Sequence, residues 1–153
     1  YFNLEYLGPL PIIVQGCVGI QTDNKNFKNF VLIKFWRDPE VPESSQGELT
    51  LESGHQLLET TIRCWSPHLA TWTTTAWLRA VPKREAYTPS LGWKTYFSEP
   101  AVCELISDLG KPLHQGILLE TATDIHDVTP EKIAALAQEL ADRGVEDTLY
   151  RGA

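Results

Sequence analysis

Thr71-Trp72-Thr73-Thr74-Thr75-Ala76-Trp77-Leu78-Arg79-Ala80-Val81 is the stretch whose reading decides the fold. Threonine and tryptophan favour a pleated, half-buried surface, and strict alternation places Trp72, Thr74, Ala76, Leu78 and Ala80 on one face. Thr73, Thr75, Trp77, Arg79 and Val81 then fall on the other face. The segment reads as one long strand. Trp72 and Trp77 are five positions apart, an odd spacing, so a regular strand points them to opposite faces and only one of them needs to face the core.

Outward from this strand the β signal continues in both directions. Gln56 to Trp65, rich in Thr, Ile and Trp, reads as its antiparallel neighbour, reached from Glu48–Glu52 through Ser53-Gly54. Near the start, Ile12, Val14, Val18 and Ile20 alternate along a strand. Phe30 to Trp36 is apolar on both faces apart from Lys34, the pattern of an interior strand. The polar turn Asp23 to Asn26 joins those two in a hairpin. Trp93–Phe97 and Gly116–Ala122 supply two further short strands.

The period changes after Ser98. Val102, Leu105, Ile106 and Leu109 recur at helical spacing behind a Ser98 cap, and Gly110 and Pro112 end the run. A second helix is signalled by Thr129-Pro130-Glu131, an N-cap, a first-turn proline and a favourable acid. Its stripe is Ile133, Leu136, Ala137, Leu140 and Ala141, with Gly144 as the stop. The expected fold is therefore α+β: a mostly antiparallel sheet of about six to seven strands, with two C-terminal amphipathic helices packed on one face. At 153 residues, without repeats or a long linker, residues 1–153 are read as a single domain.

Composition narrows the function classes. The net charge of −7 argues against nucleic acid, whose phosphates require clustered Lys and Arg. No apolar run reaches the ~20 residues of a membrane helix. The first residues carry neither a basic segment nor a small-residue cleavage site, so no targeting signal is read there. Cys17, Cys64 and Cys103 are an odd number at long spacings, which suits a reducing, cytoplasmic setting and reads as small buried side chains. Neither a phosphate loop nor a nucleophile elbow is present, and no cofactor is expected.

Two groups of residues could carry chemistry. Glu120, Asp124, His126 and Asp127 gather oxygen and nitrogen ligands ahead of a helix, but at no zinc or EF-hand spacing. Acids in that position are already explained by the helix dipole, so neither a metal site nor a catalytic residue is assigned. His55, His68 and His114 read as turn histidines. The acids Asp38, Glu40, Glu43, Glu48, Glu52 and Glu59 follow one another with no Lys or Arg between them, and residues 120–153 hold eight acids against Lys132, Arg143 and Arg151.

Acidic surfaces around an aromatic anchor suit a charged rim enclosing an apolar hot spot. The favoured expectation is thus a non-catalytic protein-binding domain of the inhibitor or immunity type, neutralising a basic protein through Trp77, Glu40, Glu43, Glu48 and Glu52. The alternatives are a small-molecule binder or enzyme, with a pocket between sheet and helices near Arg79, His126 or Asp124, and a self-assembling structural subunit.

Overall fold

A computed structural model gives the fold and describes residues 2–6, 12–17, 30–35, 50–80 and 89–151. The backbone groups into two compact units, 1–54 and 55–153. In the first unit, β1 (Phe2–Tyr6), β2 (Ile12–Cys17) and β3 (Phe30–Phe35) form an antiparallel sheet in the order β1-β2-β3. Val14 pairs with Leu4 on one side and with Ile33 on the other. The expected pairing of β2 with β3 is present. Among the described residues, however, β3 is an outer strand rather than an interior one, and β1, unread in the sequence, takes the other side of β2.

The second unit is built on a four-stranded antiparallel sheet of order β4-β5-β7-β6, from β4 (Leu69–Trp72), β5 (Lys94–Phe97), β6 (Lys111–Leu113) and β7 (Gly116–Glu120). The described strands thus divide between two sheets instead of forming one of six or seven. Strand β6 was unread because Pro112, a helix stop, sits on an outer strand where a missing donor is tolerated. A two-residue connection, His114-Gln115, closes the β6–β7 hairpin, with His114 at φ +49°.

Two expected strands are helical. Residues Leu51–Trp65 form helix α1, not a hairpin of strands at Glu48–Glu52 and Gln56–Trp65. Its start is fixed by Thr50, whose hydroxyl oxygen accepts from the Ser53 amide at 3.1 Å while Glu52 stands in the first turn and Arg63 in the last. Leu58 and Ile62, four apart, make the buried stripe.

The Thr71–Val81 stretch is also not one strand. After β4 the chain turns, and Thr74 accepts from the Trp77 amide at 3.2 Å to open α2 (Thr75–Ala80). Threonine's β preference was outweighed by its capacity to cap. The odd spacing of Trp72 and Trp77 therefore sets no opposite faces, and both tryptophans pack partly buried against the same apolar cluster.

The helices read after Ser98 are present with small shifts. Helix α3 (Pro100–Ile106) is preceded by Glu99 in the cap position. Ser98 instead donates its hydroxyl proton to the Pro67 carbonyl at 2.9 Å. Helix α4 (Pro130–Asp142) has the expected Thr129 cap, which accepts from Lys132 N at 3.3 Å, and stops at Gly144 with φ +77°. A further helix, α5 (Val145–Arg151), follows and contacts both α3 and α4.

Alternation along β5 and β7 divides this unit into layers. Phe97, Ile117 and Leu119 join Val102, Ile106, Ile133, Leu140 and Val145 in one core, which α3, α4 and α5 share with the sheet; α5 is additional to the two helices expected. Tyr96 and Leu118 point the other way and are closed over by Leu58 and Ile62 of α1. The face that a strand reading of 56–65 leaves open is thus roofed by a helix. Gly116 permits the close approach at the sheet's end: a Cβ there would stand 2.0 Å from the Phe97 carbonyl oxygen and 2.8 Å from the Tyr96 ring. Among the described residues no helix is long and apolar enough to cross a membrane.

Candidate functional site

Charged side chains converge on the α1-covered face of the sheet, because period two puts Lys94 and Glu120 on the same side as Tyr96 and Leu118. Lys94 and Glu120 are directly opposed across β5 and β7, and the Lys94 Nζ lies 3.0 Å from Glu120 Oε1. Lys111 of β6 donates to the other oxygen, Oε2, at 2.8 Å. From α1, His55 offers Nδ1 to Lys94 Nζ at 3.1 Å and faces Glu59 Oε1 through Nε2 at 3.1 Å. The Lys94 ammonium also sits 4.7 Å from the Trp93 ring centroid, a cation–π geometry. The Trp93 ring is held by a 2.8 Å bond from Nε1 to the Ala122 carbonyl and by an edge contact with Trp72 at 5.4 Å.

This chain, Glu59–His55–Lys94–Glu120–Lys111, is the most buried ionic feature described: the Lys94 side chain is only 9% exposed. A buried ammonium needs all of its donor protons matched, and here a carboxylate, an imidazole and an aromatic face supply the partners. The bond from Lys111 holds the Glu120 carboxyl below the usual carboxylate range, against the opposing effect of its burial. This ionic chain contains no hydroxyl or thiol. Beside the chain opens a cleft of about 460 Å³ whose polar lining includes Asp108, Lys111, Glu120, Thr121 and Thr123. Its charges are already paired within the protein, and Thr121 donates its hydroxyl proton to the Gly92 carbonyl at 2.6 Å.

A second ionic knot ties α3 to the end of α4. Arg143 grips Asp108 with both terminal nitrogens, at 2.6 and 3.0 Å, donates to the Leu105 carbonyl at 2.8 Å, and reaches Glu139 at 2.8 Å through Nε. The bidentate fork holds the Asp108 carboxyl below its ordinary value. Both Asp108 and Glu120 therefore have lowered folded-state values, so their stabilisation is present above the unfolded carboxylate range, near pH 4, and is lost as pH falls through the folded values. Urea denaturation followed from pH 6 to pH 2.5 is expected to show falling stability with a shallower slope in Asp108→Asn. An unchanged slope would remove the Arg143 fork from the account.

The residues singled out in the sequence fall in different places. Glu120 is committed to the two lysines, while Asp124 accepts from the His126 amide at 2.8 Å and caps a short 3-10 turn, Ile125–Asp127. Asp124, His126 and Asp127 are exposed, and among the described residues no group of three or more His, Cys, Asp or Glu side chains converges on a point. His55 belongs to α1 rather than to a turn; His68 and His114 stand exposed in connections. Cys64 is exposed on α1, not buried as expected. Cys103 is half-buried and points its thiol at the Phe97 carbonyl at 3.4 Å, with burial pushing the thiol upward. The side chain of Cys17 lies outside the described residues.

Of the expected partner-binding residues, Glu52 is exposed in the first turn of α1, and Trp77 is half-buried on α2. Glu40, Glu43 and Glu48 lie outside the described residues. Among the described residues the large apolar side chains that are exposed are Trp65 (48%) and Leu78 (39%). The Lys94 cluster was not legible in the sequence because Lys94, Lys111 and Glu120 meet only through the register of β5, β6 and β7, and His55 and Glu59 join them only with α1 helical. The available signal was the i, i+4 spacing of His55 and Glu59. No protein-family model, no curated protein and no solved structure matches this chain.

Proposed function

We propose that the protein is a non-catalytic, acidic binding domain of the inhibitor or immunity type that docks a basic protein. The observation that carries this reading is the inward turn of Arg143. Of the three cations among residues 120–151, it is consumed by Asp108, Glu139 and the Leu105 carbonyl. Asp124, Asp127, Glu131 and Asp142 stay exposed around α4, where their potential reaches solvent. The acidic run containing Glu40, Glu43, Glu48 and Glu52 adds to the same negative balance. Apolar contact is offered at Trp65 and at Leu78, the neighbour of Trp77 on α2. Exposed aromatics and a polar, charged rim are the ingredients of interface hot spots.

The test is affinity copurification from the native host with the wild-type chain and two charge-reversed variants. One carries Glu40→Lys, Glu43→Lys, Glu48→Lys and Glu52→Lys; the other carries Asp127→Lys and Asp142→Lys. A single basic protein is expected, eluting as salt rises from about 0.1 M toward 1 M, where the screening length shrinks from roughly 10 Å to 3 Å. Its capture is expected to fall at least about tenfold in one or both variants, and in Trp65→Ala. Trp65→Ala is expected to leave folding stability within about 0.5 kcal/mol of wild type, as for an exposed side chain. Capture indifferent to salt and to both charge reversals would defeat the proposal.

The cleft beside Lys111 and Glu120 supports a second reading, a small-molecule binder. Thermal-shift screening with metabolites distinguishes the two: a ligand at one hundred times its Kd stabilises by about 2.7 kcal/mol, whereas the docking reading predicts no such response.

A further inference from the structure

The geometry around His55 carries an inference about regulation. An ammonium has no lone pair to offer, so the 3.1 Å contact between Lys94 Nζ and His55 Nδ1 requires Nδ1 to be the acceptor. The proton of the neutral ring then sits on Nε2 and is donated to Glu59 Oε1 at 3.1 Å. Protonating the ring fills Nδ1, removes the bond from Lys94 to α1, and brings two cations to within 3.1 Å of each other.

The charged groups joined to His55 and Lys94 are Glu59 from α1 itself, Lys94 from β5, and behind Lys94 the shared carboxylate Glu120 from β7 with Lys111 from β6, while Glu52 stands three positions before His55 on α1. With a neutral ring the two carboxylates and two ammoniums of the joined cluster cancel; with an imidazolium that cluster carries one excess positive charge. Glu59 would gain an ion pair, but its side chain is 42% exposed and water screens that gain. The Lys94 side chain is 9% exposed, so its repulsion is screened far less. Glu120 is already shared between two lysines.

We propose that His55 is a pH-sensitive latch that holds α1 against the sheet while its imidazole is neutral and loosens it when the imidazole is protonated. The apolar contact of Leu58 and Ile62 with Tyr96 and Leu118 lies under the same helix, so loosening would admit solvent to that layer.

Hydrogen exchange of the full chain at pH 7.5 and pH 5.5, corrected for intrinsic exchange chemistry, tests this. In wild type, amides of residues 55–65 are expected to exchange about tenfold faster at pH 5.5, an opening easier by about 1.4 kcal/mol, while those of β5 and β7 hold their rates. His55→Gln keeps an acceptor for Lys94 that cannot be protonated in this range, and Lys94→Met removes the opposing cation. Either variant is expected to erase the pH response of α1, and His68→Gln, at an exposed histidine, to preserve it. If His55→Gln does not fold, Lys94→Met and the wild-type profile still decide. A wild-type helix indifferent to pH, or a response that survives in a folded His55→Gln or Lys94→Met, would overturn the proposal.

Discussion

Truncating Ile62 to alanine is expected to lower the folding free energy by about 3 kcal/mol, within the range of about 2–5 kcal/mol for emptying a buried isoleucine site. Ile62 is 2% exposed and packs, with Leu58, against Tyr96 and Leu118. Its neighbour Thr60 is exposed on the opposite side of α1, so Thr60→Ala should change stability by less than about 0.5 kcal/mol. The pair separates the helix from the strand suggested by composition. In a strand, residues 60 and 62 share a face and their substitutions would rank together; in a helix they lie about 200° apart and do not. Equilibrium urea denaturation of the two variants reads the difference directly.

The second large effect is an asymmetry inside the Lys94 cluster. Glu120→Ala removes the carboxylate and leaves an ammonium buried with only an imidazole and the Trp93 ring for company. Breaking a buried pair from one side costs about 3–5 kcal/mol. Glu120 is a quarter exposed, so water enters more easily and about 2–3 kcal/mol is expected. Lys94→Met instead removes the buried charge, keeps the apolar stem, and leaves Glu120 bonded to Lys111 at 2.8 Å. Glu120 is a quarter exposed and keeps Lys111, so its carboxylate is not left buried and unpaired and this variant should cost less than Glu120→Ala. Denaturant midpoints ranking Lys94→Met as the more damaging of the two would mean that Lys94 is not buried as described.

The elements that were legible in the sequence are those whose signals are local and unopposed. Helix α4 carries its cap, first-turn proline, stripe and stop within sixteen residues, Thr129 to Gly144, and forms over Pro130–Asp142. Strands β5 and β7 declare themselves by short β-branched and aromatic runs between turn residues. The two segments that are helical where strands are expected share one physical origin: threonine. In Gln56–Trp65 and Thr71–Val81 it was weighed as a β-former, yet Thr50 and Thr74 act as helix caps, and Thr61 turns its hydroxyl back to the Leu57 carbonyl at 2.8 Å. The i, i+4 pairs Leu58/Ile62 and His55/Glu59 held the opposing evidence, and Gly54, read as a turn, is accommodated in the first turn of α1.

The helical state of 51–65 also decides the candidate site. With 56–65 as a strand, one sheet face is left bare and a surface function around Trp77 follows; with α1 in place, the same face is closed over an ionic cluster. Trp77 packs with the core on α2, and the exposed aromatic is Trp65. The acidity read from composition needs no fold to be legible. Which acids face solvent does, because it depends on Arg143 meeting Asp108 across 35 positions of chain.

The account rests most heavily on α1 as the roof of the sheet's second face. Native-state hydrogen exchange at pH 7.5 under increasing denaturant tests it most directly. Amides of residues 58–65 are predicted to open only with those of β5 and β7, in the global transition. Exchange of 58–65 at free-peptide rates while β5 and β7 stay protected would contradict it.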